Sequence, residues 1–320
     1  EAYRPYSKRT PIRNSDGSTS YKVDRPAAPY LKWERNDQFN AGVDFGILNG
    51  RIRLTADWYS KLSKDILLDL AQPTHMGFPS LLMNSGEIKN TGIEFTISAD
   101  PFTGKGFSWH TDVTLSHNKG TFNSIPTANH RQQQAGSFQN QLFQMIEGEK
   151  LGTFWGYTFG GIWQEDEVNA PFVDANGQTN GKTNGEVYKV VAGNSKYVDT
   201  NKDGVLNDAD QGIIGCGQPT FNWGWNNSFN YKNFDFSFFM VGFHGFDIYN
   251  ATHQMGFNTV SGQNMAAVTP MRDFLNRWTP TNTNTDVPGF VQGGTENKVF
   301  SSRFVENGSF IKMKSITLGL

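Results

Sequence analysis

Period-two alternation of apolar and polar residues is the feature that most constrains how this chain folds. In residues 38–47 the apolar side chains are Phe39, Ala41, Val43, Phe45 and Ile47, and each position between them is polar or small. A strand with this pattern has one apolar face and one polar face. The pattern recurs in residues 52–58, 93–100, 107–115, 221–231 and 234–240, and we expect a last strand within residues 302–320. The sequence therefore predicts an all-β chain of antiparallel strands.

The connections between these strands differ greatly in length. Asn49-Gly50 is a strong hairpin signal, and the turns near residues 48–51, 101–106 and 232–233 are short. Residues 66–85, 120–218 and 248–300 are instead long, polar and rich in Gly, Asn and Thr. Short turns at one end and long loops at the other are typical of outer-membrane barrels, whose long loops are extracellular. The predicted fold is an antiparallel transmembrane β-barrel fragment with long extracellular loops.

Strand direction limits how the longest loop can be organised. Residues 106–119 should run outward and residues 220–231 inward, so an even number of membrane crossings must lie between them. We therefore interpret the segment from Phe154 to Trp163 as β structure within the extracellular loops rather than as a single membrane strand. The chain then supplies about seven crossing strands, which are too few to close a large barrel.

Composition excludes several other classes of protein. The chain is 37% hydrophobic but 14% aromatic, with 34 Gly and a mean hydropathy of −0.53, which suits strands, turns and interfacial aromatics. It has no apolar run long enough for a transmembrane helix, whereas a membrane strand needs only about 9 to 11 residues. A net charge of −2 argues against a nucleic-acid partner. A soluble β-sandwich remains the structural alternative, although aromatic residues at strand ends favour the barrel.

Residues 199–210 contain the pattern of a calcium-binding loop. Side-chain oxygens occur at positions 1, 3 and 5, Gly204 is at position 6, and a backbone carbonyl is available at position 7. Hard oxygen ligands at alternating positions around a sharp turn suit Ca²⁺. Asp at position 12 is shorter than the usual Glu, and a plain acidic turn is the alternative. The predicted structural Ca²⁺ ligands are Asp199, Asn201, Asp203, Val205, Asn207 and Asp210.

Other candidate chemistry in the sequence is weak. The six histidines lack metal-ligand spacing, and Glu147 and Glu149 are better explained as surface charge than as a hydrolytic pair. We expect no catalytic residues, no organic cofactor and no enzyme activity. The tryptophans fit a membrane girdle better than a sugar-stacking site. Cys216, the single cysteine, cannot form an internal disulfide, and we expect a small packed loop residue there.

Several segments, taken in order, resemble the C-terminal third of SusC/RagA-type TonB-dependent outer-membrane transporters. They include Gln38–Phe45, Arg51–Lys64, Asn90–Phe95, Gly148–Gln164, Tyr197–Gly215, Phe221–Gly245, Asn276–Pro280 and Ser301–Phe310. The resemblance implies a barrel of roughly 22 strands with a plugged lumen, in the outer membrane of a Gram-negative, Bacteroidota-like bacterium. Residues 1–320 would then be part of the barrel domain, with the plug domain and the final strands outside this fragment.

The resemblance also implies partners and a function. It implies a SusD-like surface lipoprotein as a lid, contact with the TonB complex through a missing N-terminal part, and active import of oligosaccharides or peptides. The long loops, chiefly residues 120–218 and 248–300, would form the interface for the lid. The alternative is a secreted β-rich carbohydrate-binding module that the calcium loop stabilises. Extraction from membranes would separate these two hypotheses, because only a barrel requires detergent.

Overall fold

A computed structural model describes residues 8–125, 130–131, 142–257, 272–289 and 299–320. The strands are, in chain order, β1 (Lys8–Arg13), β2 (Thr19–Arg25), β3 (Arg35–Ile47), β4 (Ile52–Lys64), β5 (Leu67–Ala71), β6 (Ser80–Asn84), β7 (Glu87–Thr103), β8 (Phe107–Ser124), β9 (His130–Arg131), β10 (Gln144–Met145), β11 (Thr153–Tyr157), β12 (Phe159–Ile162), β13 (Pro171–Val173), β14 (Thr179–Thr183), β15 (Ser195–Tyr197), β16 (Gln211–Cys216), β17 (Phe221–Tyr231), β18 (Phe234–His244), β19 (Asp247–Tyr249), β20 (Val305–Asn307) and β21 (Phe310–Gly319). The α-helices are α1 (Glu165–Asn169), α2 (Asn184–Tyr188) and α3 (Ala251–Phe257), and 3-10 helices cover Thr74–Met76, Asp208–Asp210, Arg272–Asn276 and Ser302–Phe304.

Seven long strands form one antiparallel sheet in the order β21-β18-β17-β8-β7-β4-β3. β17 pairs directly with β8, although the intervening loop separates them by residues 125–220. The strands within that loop form separate two-stranded sheets, including β11 with β16 and β12 with β15. The interpretation of Phe154 to Trp163 as loop β structure is confirmed, and so is the expected number of long strands.

Local backbone conformation explains the short turns at one end of the sheet. Leu48, Asn49 and Gly50 all have positive φ angles, of 54°, 56° and 81°, and Asn and Gly are the residues that adopt this conformation at low cost. Lys232 and Asn233 connect β17 to β18, with Lys232 at φ 53°. All the long connections leave the opposite end, after β4, β8 and β18. The predicted asymmetry of the loops is confirmed.

Strand length matches the thickness of a membrane. The seven strands range from 10 residues in β21 to 18 residues in β8, and a tilted membrane strand needs about 9 to 11. Within the part of the chain that the structure describes, no helix is both long and apolar enough to span a bilayer.

The hydrophobic core lies in the loops and not in the seven-stranded sheet. The buried hydrophobic residues, among those described, are Leu70, Ile125, Leu142, Phe154, Ile162, Trp163, Phe172, Tyr197, Val287 and Phe304. None belongs to the seven long strands, where large residues such as Phe39, Val43 and Ile316 remain about two-thirds exposed. A soluble β-sandwich buries such a face against a second sheet. The other sheets described here are all two-stranded, so the sandwich alternative is wrong.

We use the name loop cluster for residues 142–220, 245–257, 272–289 and 299–309. Its parts pack together across long sequence separations: the Tyr157 amide donates to the Phe300 carbonyl, and Phe159 donates to the Ser302 hydroxyl. Residues 126–129, 132–141, 258–271 and 290–298 lie outside the described residues, as does the side chain of Phe257. Parts of the predicted lid interface, residues 120–218 and 248–300, therefore fall outside the described residues.

Candidate functional site

The first functional element is the seven-stranded sheet, whose two faces differ in polarity. Residues paired directly across antiparallel strands share a face, so Trp58 lies beside Ile93, and Phe95 beside Leu115. The opposite face carries a row of Thr55, Thr96 and Thr114. This arrangement separates an apolar environment from an aqueous one, as the wall of a membrane barrel does.

β18 shows the same division in detail. Phe234, Phe236, Phe238 and Met240 alternate with Asp235, Ser237 and Phe239. The Phe229 ring on β17 stacks on Phe236, with ring centroids 6.1 Å apart, and Trp225 meets Phe238 at 5.4 Å. On the other side, Phe236 pairs with Leu318 of β21. The register thus places Phe234, Phe236, Phe238 and Met240 on the apolar face.

Two polar residues interrupt the apolar face, and sequence reasoning missed them. Asn227 pairs with Thr111 on β8 and with Phe238 on β18. The Trp109 indole donates to Asn227 Oδ1 at 3.0 Å, and the Trp225 indole donates to Thr111 Oγ1 at 3.0 Å. Only 1% of Asn227 is exposed. The indoles give Asn227 Oδ1 and Thr111 Oγ1 a donor each, which reduces the cost of placing these oxygens on this face, whereas Asn227 Nδ2 is buried without an acceptor. The sequence does contain a signal, because Asn227 interrupts the alternating aromatic residues at positions 221, 223, 225, 229 and 231.

The polar face contains side-chain contacts that fix neighbouring strands. The Tyr59 ring lies over Gly92, where a Cβ atom would come within 2.4 Å of the ring, and its hydroxyl donates to Asn118 Oδ1 at 3.1 Å. His110 lies between two carboxylates, with Asp100 at 2.7 Å from Nδ1 and Asp112 at 2.9 Å from Nε2. These contacts connect β4 to β8 and the bulged end of β7 to β8. They account for order in the wall and indicate no catalytic arrangement.

The second functional element is the loop cluster, which has an aromatic core. Phe304 is 1% exposed, and Tyr249 packs against it at 6.1 Å between ring centroids. Tyr249 also contacts Phe154 at 6.3 Å, joining β19 to β11. Burial raises the pKa of the Tyr249 hydroxyl above its usual range. The loops are therefore packed on one another in a defined arrangement.

The predicted calcium loop forms the turn that the sequence pattern requires. Gly204 has a φ of +82°, and a Cβ atom there would come within 2.9 Å of the Phe172 and Val187 side chains. The Gly204 amide donates to Asp199 Oδ2 at 2.9 Å. Asp210, which is 3% exposed, closes the loop by accepting from the amides of Thr200 and Asn207. Position 6 accepts only glycine for steric and conformational reasons.

The candidate ligands are near one another in sequence but make other contacts in this structure. Asp203 Oδ1 accepts from the Val205 amide at 2.7 Å, and its Oδ2 accepts from the Asn201 side chain at 2.9 Å. The Val205 carbonyl accepts from the Asn207 side chain at 3.0 Å. Among the described residues, no three His, Cys, Asp or Glu side chains lie close enough together to hold a metal. The carboxylates of Asp199, Asp203 and Asp210 are thus not gathered around one point.

One oxygen of the loop nevertheless lacks a protein partner. Asp199 Oδ1 is buried and has no hydrogen bond, whereas Oδ2 of the same carboxylate accepts from both Gly204 and the Tyr188 hydroxyl. A buried carboxylate oxygen without a donor is costly. A cation at this position would satisfy this oxygen.

Tyr188 connects this loop to the aromatic core of the cluster. Its ring lies 5.6 Å from that of Trp163 and 5.7 Å from that of Phe172. Its hydroxyl donates to Asp199 Oδ2 at 2.9 Å. Burial, followed by this hydrogen bond and the nearby carboxylates, raises the pKa of the Tyr188 hydroxyl. The order of the loop is therefore coupled to the packing of α2.

Cys216 and Glu147 occupy structural positions in the loop cluster. Cys216 is half-buried at the end of β16, where its amide donates to Asp247 Oδ2 at 2.9 Å and its thiol contacts the Leu151 carbonyl at 3.5 Å. Glu147 Oε2 accepts from the Ile125 amide at 3.3 Å. These contacts support the interpretation of Cys216 as a packed loop residue.

Comparison with known proteins agrees with this geometry. The family model described as TonB dependent receptor-like, beta-barrel matches residues 1–183, which is more than half of the chain. TonB-dependent receptor P3 of Formosa agariphila is 32% identical over 293 residues, covering 90% of this chain and 27% of the relative. TonB-dependent receptor SusC of Bacteroides thetaiotaomicron is 27% identical over 309 residues, covering 95% of this chain and 28% of SusC.

A solved structure of the RagAB peptide transporter has the same fold. It superposes with a TM-score of 0.72 at 20% sequence identity, covering 98% of this chain and 32% of that chain. The protein described here therefore spans about a third or less of the length of each of these relatives. The matched family and the 32% identical relative, together with the two-faced sheet, show that the chain belongs to the TonB-dependent receptor β-barrels.

Proposed function

We propose that residues 1–320 form part of the wall and outer loops of an outer-membrane transporter that imports oligosaccharides or peptides with energy relayed by TonB. The observation that carries this proposal is the seven-stranded sheet, with an exposed apolar face, a polar face and ordered loops packed at one end only. A lipid-exposed sheet needs exactly this polarity. The plug domain and the TonB contact belong, in this proposal, to parts of the protein outside this chain.

The loop cluster is the proposed interface for a lipoprotein lid. Its surface retains exposed apolar side chains, including Leu275 at 78%, Val205 at 58% and Val191 at 55%. Single exposed apolar residues are common, but several on one ordered loop assembly can serve as anchors at an interface. Phe274, which precedes Leu275, packs against the buried cluster of Val287 and Phe304, and this contact fixes the position of Leu275. A lid on this side would close the lumen from outside while cargo is held within it.

We also propose that residues 199–210 bind Ca²⁺ and that the ion orders the loop cluster. Asp199 Oδ1 is the oxygen that supports this, because it is buried and lacks a donor. Asp203 accepts from the Val205 amide, and Asp210 accepts from the Asn207 amide. Binding would require Asp203 and Asn201 to exchange these contacts for the ion. The role is structural, and the family consists of transporters and not enzymes.

The proposed function is tested by uptake in living cells. The full-length protein and its lipoprotein partner are restored to a strain that lacks both, and entry of labelled oligosaccharides and peptides is measured with and without a functional TonB. Uptake should require the transporter and TonB together. Uptake that persists without TonB contradicts the active-transport proposal. Recovery of the full-length protein in the soluble fraction without detergent contradicts the barrel placement.

A further inference from the structure

An open polar cleft lies in the loop cluster between the start of α1 and the loop after Trp278. Its volume is about 870 Å³, within the range of small-molecule sites. It is separate from the calcium loop and from the two faces of the sheet. The side chains that matter for its chemistry are those of Glu165, Asp166, Asn169, Trp278, Pro280 and Asn284.

The floor of the cleft is held rigidly. The Trp278 indole donates to Gln164 Oε1 at 3.0 Å, and Gln164 Nε2 donates to the Ile162 carbonyl at 3.0 Å. The Trp278 ring also packs against the backbone of Gly193, where a Cβ atom would come within 2.7 Å of it. The ring cannot move toward Gly193 and its indole nitrogen is engaged. A preformed floor reduces the entropy lost when a ligand binds.

The polar groups of the cleft are acceptors and amides. Glu165 and Asp166 are exposed carboxylates, and the Asn169 amide nitrogen donates to the Glu165 carbonyl at 2.8 Å. Among the residues that the structure describes, no Lys, Arg or His lines the cleft. An anionic ligand would therefore meet like charge without compensation. The cleft selects against carboxylated or sulfated compounds.

Sugar hydroxyls match this set of groups better than ammonium groups do. Each hydroxyl can donate to a carboxylate and accept from an Asn amide, whereas an ammonium group only donates. Trp278 and Pro280 supply apolar surface, which suits the C–H face of a pyranose ring. A neutral oligosaccharide is thus the class of ligand whose groups all find partners.

We infer that this cleft is a subsite for a neutral oligosaccharide and that it helps select the cargo at the outer side of the transporter. The inference rests on the proposed import function and narrows its substrate class. Trp278 provides the stacking surface, and Asp166 with Glu165 holds adjacent hydroxyls. Anionic oligosaccharides are discriminated against by the same two carboxylates.

The test uses the full-length transporter purified in detergent and isothermal titration calorimetry. The probes are maltohexaose, xylohexaose and mannohexaose, with hexagalacturonate as the anionic probe and hexalysine as the cationic one. At least one neutral probe should bind more tightly than both charged probes. Trp278→Ala should weaken its binding about tenfold. Asp166→Asn, at an exposed position that leaves folding intact, should weaken binding of the neutral probe several-fold. It should also reduce the difference in affinity between the neutral probe and hexagalacturonate. Asp273→Asn, an exposed carboxylate outside the cleft, is the matched control.

The inference is overturned if the wild-type protein binds none of the neutral probes, or if hexalysine or hexagalacturonate binds best. It is equally overturned if Asp166→Asn and Trp278→Ala both bind the neutral probe as the wild type does. TonB-dependent uptake is measured in parallel and reports on the import function alone. Binding of a neutral probe without TonB-dependent uptake would contradict the import function and support the oligosaccharide subsite. TonB-dependent uptake without binding of a neutral probe would support the import function and contradict the subsite.

Discussion

At the scale of single residues, Tyr188 has the clearest consequence for pH dependence. Its pKa is raised, chiefly by burial and then by its hydrogen bond to Asp199. The unfolded segment keeps a tyrosine pKa of about 10. As the pH rises above that value, the unfolded segment loses its proton first. The contribution of the Tyr188 hydroxyl to the free energy of unfolding is therefore fully present below about pH 10 and is lost as the pH rises further.

We expect the loop cluster to open at alkaline pH while the membrane sheet stays intact. Limited proteolysis of the full-length protein between pH 8 and 11, with a protease active across that range, should show faster cleavage in residues 164–218 above about pH 10. Tyr188→Phe should flatten this dependence and cost about 1 kcal/mol at neutral pH by removing one hydrogen bond. Tyr231→Phe, on β17 and half-exposed, is the control. The same alkaline profile in Tyr188→Phe and wild type would contradict the role assigned to Tyr188.

The calcium proposal depends on residues in the loop from Asp199 to Asp210. We expect chelation of the full-length protein to increase protease cleavage within residues 164–218, and added Ca²⁺ to reverse it. Asp203→Ala should show the increased cleavage even without chelator, because one hard-ion ligand is gone. Neither the chelator nor added Ca²⁺ should then change the cleavage of this variant much. The heat-modifiability of the barrel should not change. Asp208→Ala, an exposed carboxylate in the same loop but outside the ligand set, should respond like the wild type.

Asp203 also stabilises the turn by accepting from the Val205 amide, so its loss has a metal-independent cost. The Ca²⁺ response, and not the absolute cleavage rate, therefore decides the question. A wild-type protein whose cleavage is the same with chelator and with Ca²⁺ would leave residues 199–210 as a plain acidic turn.

At the scale of elements, β18 tests which face of the sheet meets lipid. A charge at a lipid-facing position near the midplane costs about 2 to 4 kcal/mol. Phe236→Arg should therefore impair barrel assembly far more than Ser237→Arg, since Phe236 lies among Phe229, Phe238 and Leu318 and Ser237 lies on the polar face. Assembly is measured as the yield of heat-modifiable barrel in the outer membrane. Equal yields from the two variants would contradict the register.

The long strands could be predicted from sequence because each carries its own periodic signal. Alternation in residues 38–47 and 221–231 depends only on neighbouring residues, and short turns such as Asn49-Gly50 have local causes. Strand direction alone required an even number of crossings between β8 and β17, and the structure pairs these two strands directly. Ion-ligand spacing at residues 199–210 is also local, so the turn at Gly204 was predictable while the positions of its carboxylates were not.

The organisation of the loop cluster could not be predicted in the same way. The contacts that hold it, such as Tyr157 with Phe300 and Phe159 with Ser302, join residues that no local pattern relates. Helices α1 and α2 have five residues each, too few to show helical periodicity. The cleft beside Trp278 combines two such distant segments. Asn227 was missed for a similar reason, because its partner is an indole on another strand.

At the scale of the whole molecule, burial is distributed in the reverse of a soluble protein. The sheet exposes its apolar face, and the buried hydrophobic residues that the structure describes are in the loops. Contact with lipid removes the cost of exposing the apolar face of the sheet. Because hydrophobic residues are buried within the loops, the loops form a packed body with a fixed outer surface. Such a surface can recognise a separate protein with little loss of entropy on binding.

We expect this surface to hold a lipoprotein lid, and the structure shows how to test it without destroying the loops. Tyr249 and Phe300 contact each other in the core of the loop cluster, so shortening residues 248–300 would weaken lid association but would also disrupt packing. Leu275 is 78% exposed and is a better target, because Leu275→Glu removes an apolar anchor and adds charge at the surface.

Pull-down of the full-length transporter from native membranes in mild detergent should recover a lipoprotein, and Leu275→Glu should recover less. Asp273→Asn is a matched control, because Asp273 lies in the same 3-10 helix as Leu275. Ile316→Glu would not serve as a control, because Ile316 lies on the lipid face of the sheet. A wild-type transporter that purifies alone under conditions that preserve known complexes, and still carries cargo, would show that the loops pack only on one another and on the plug.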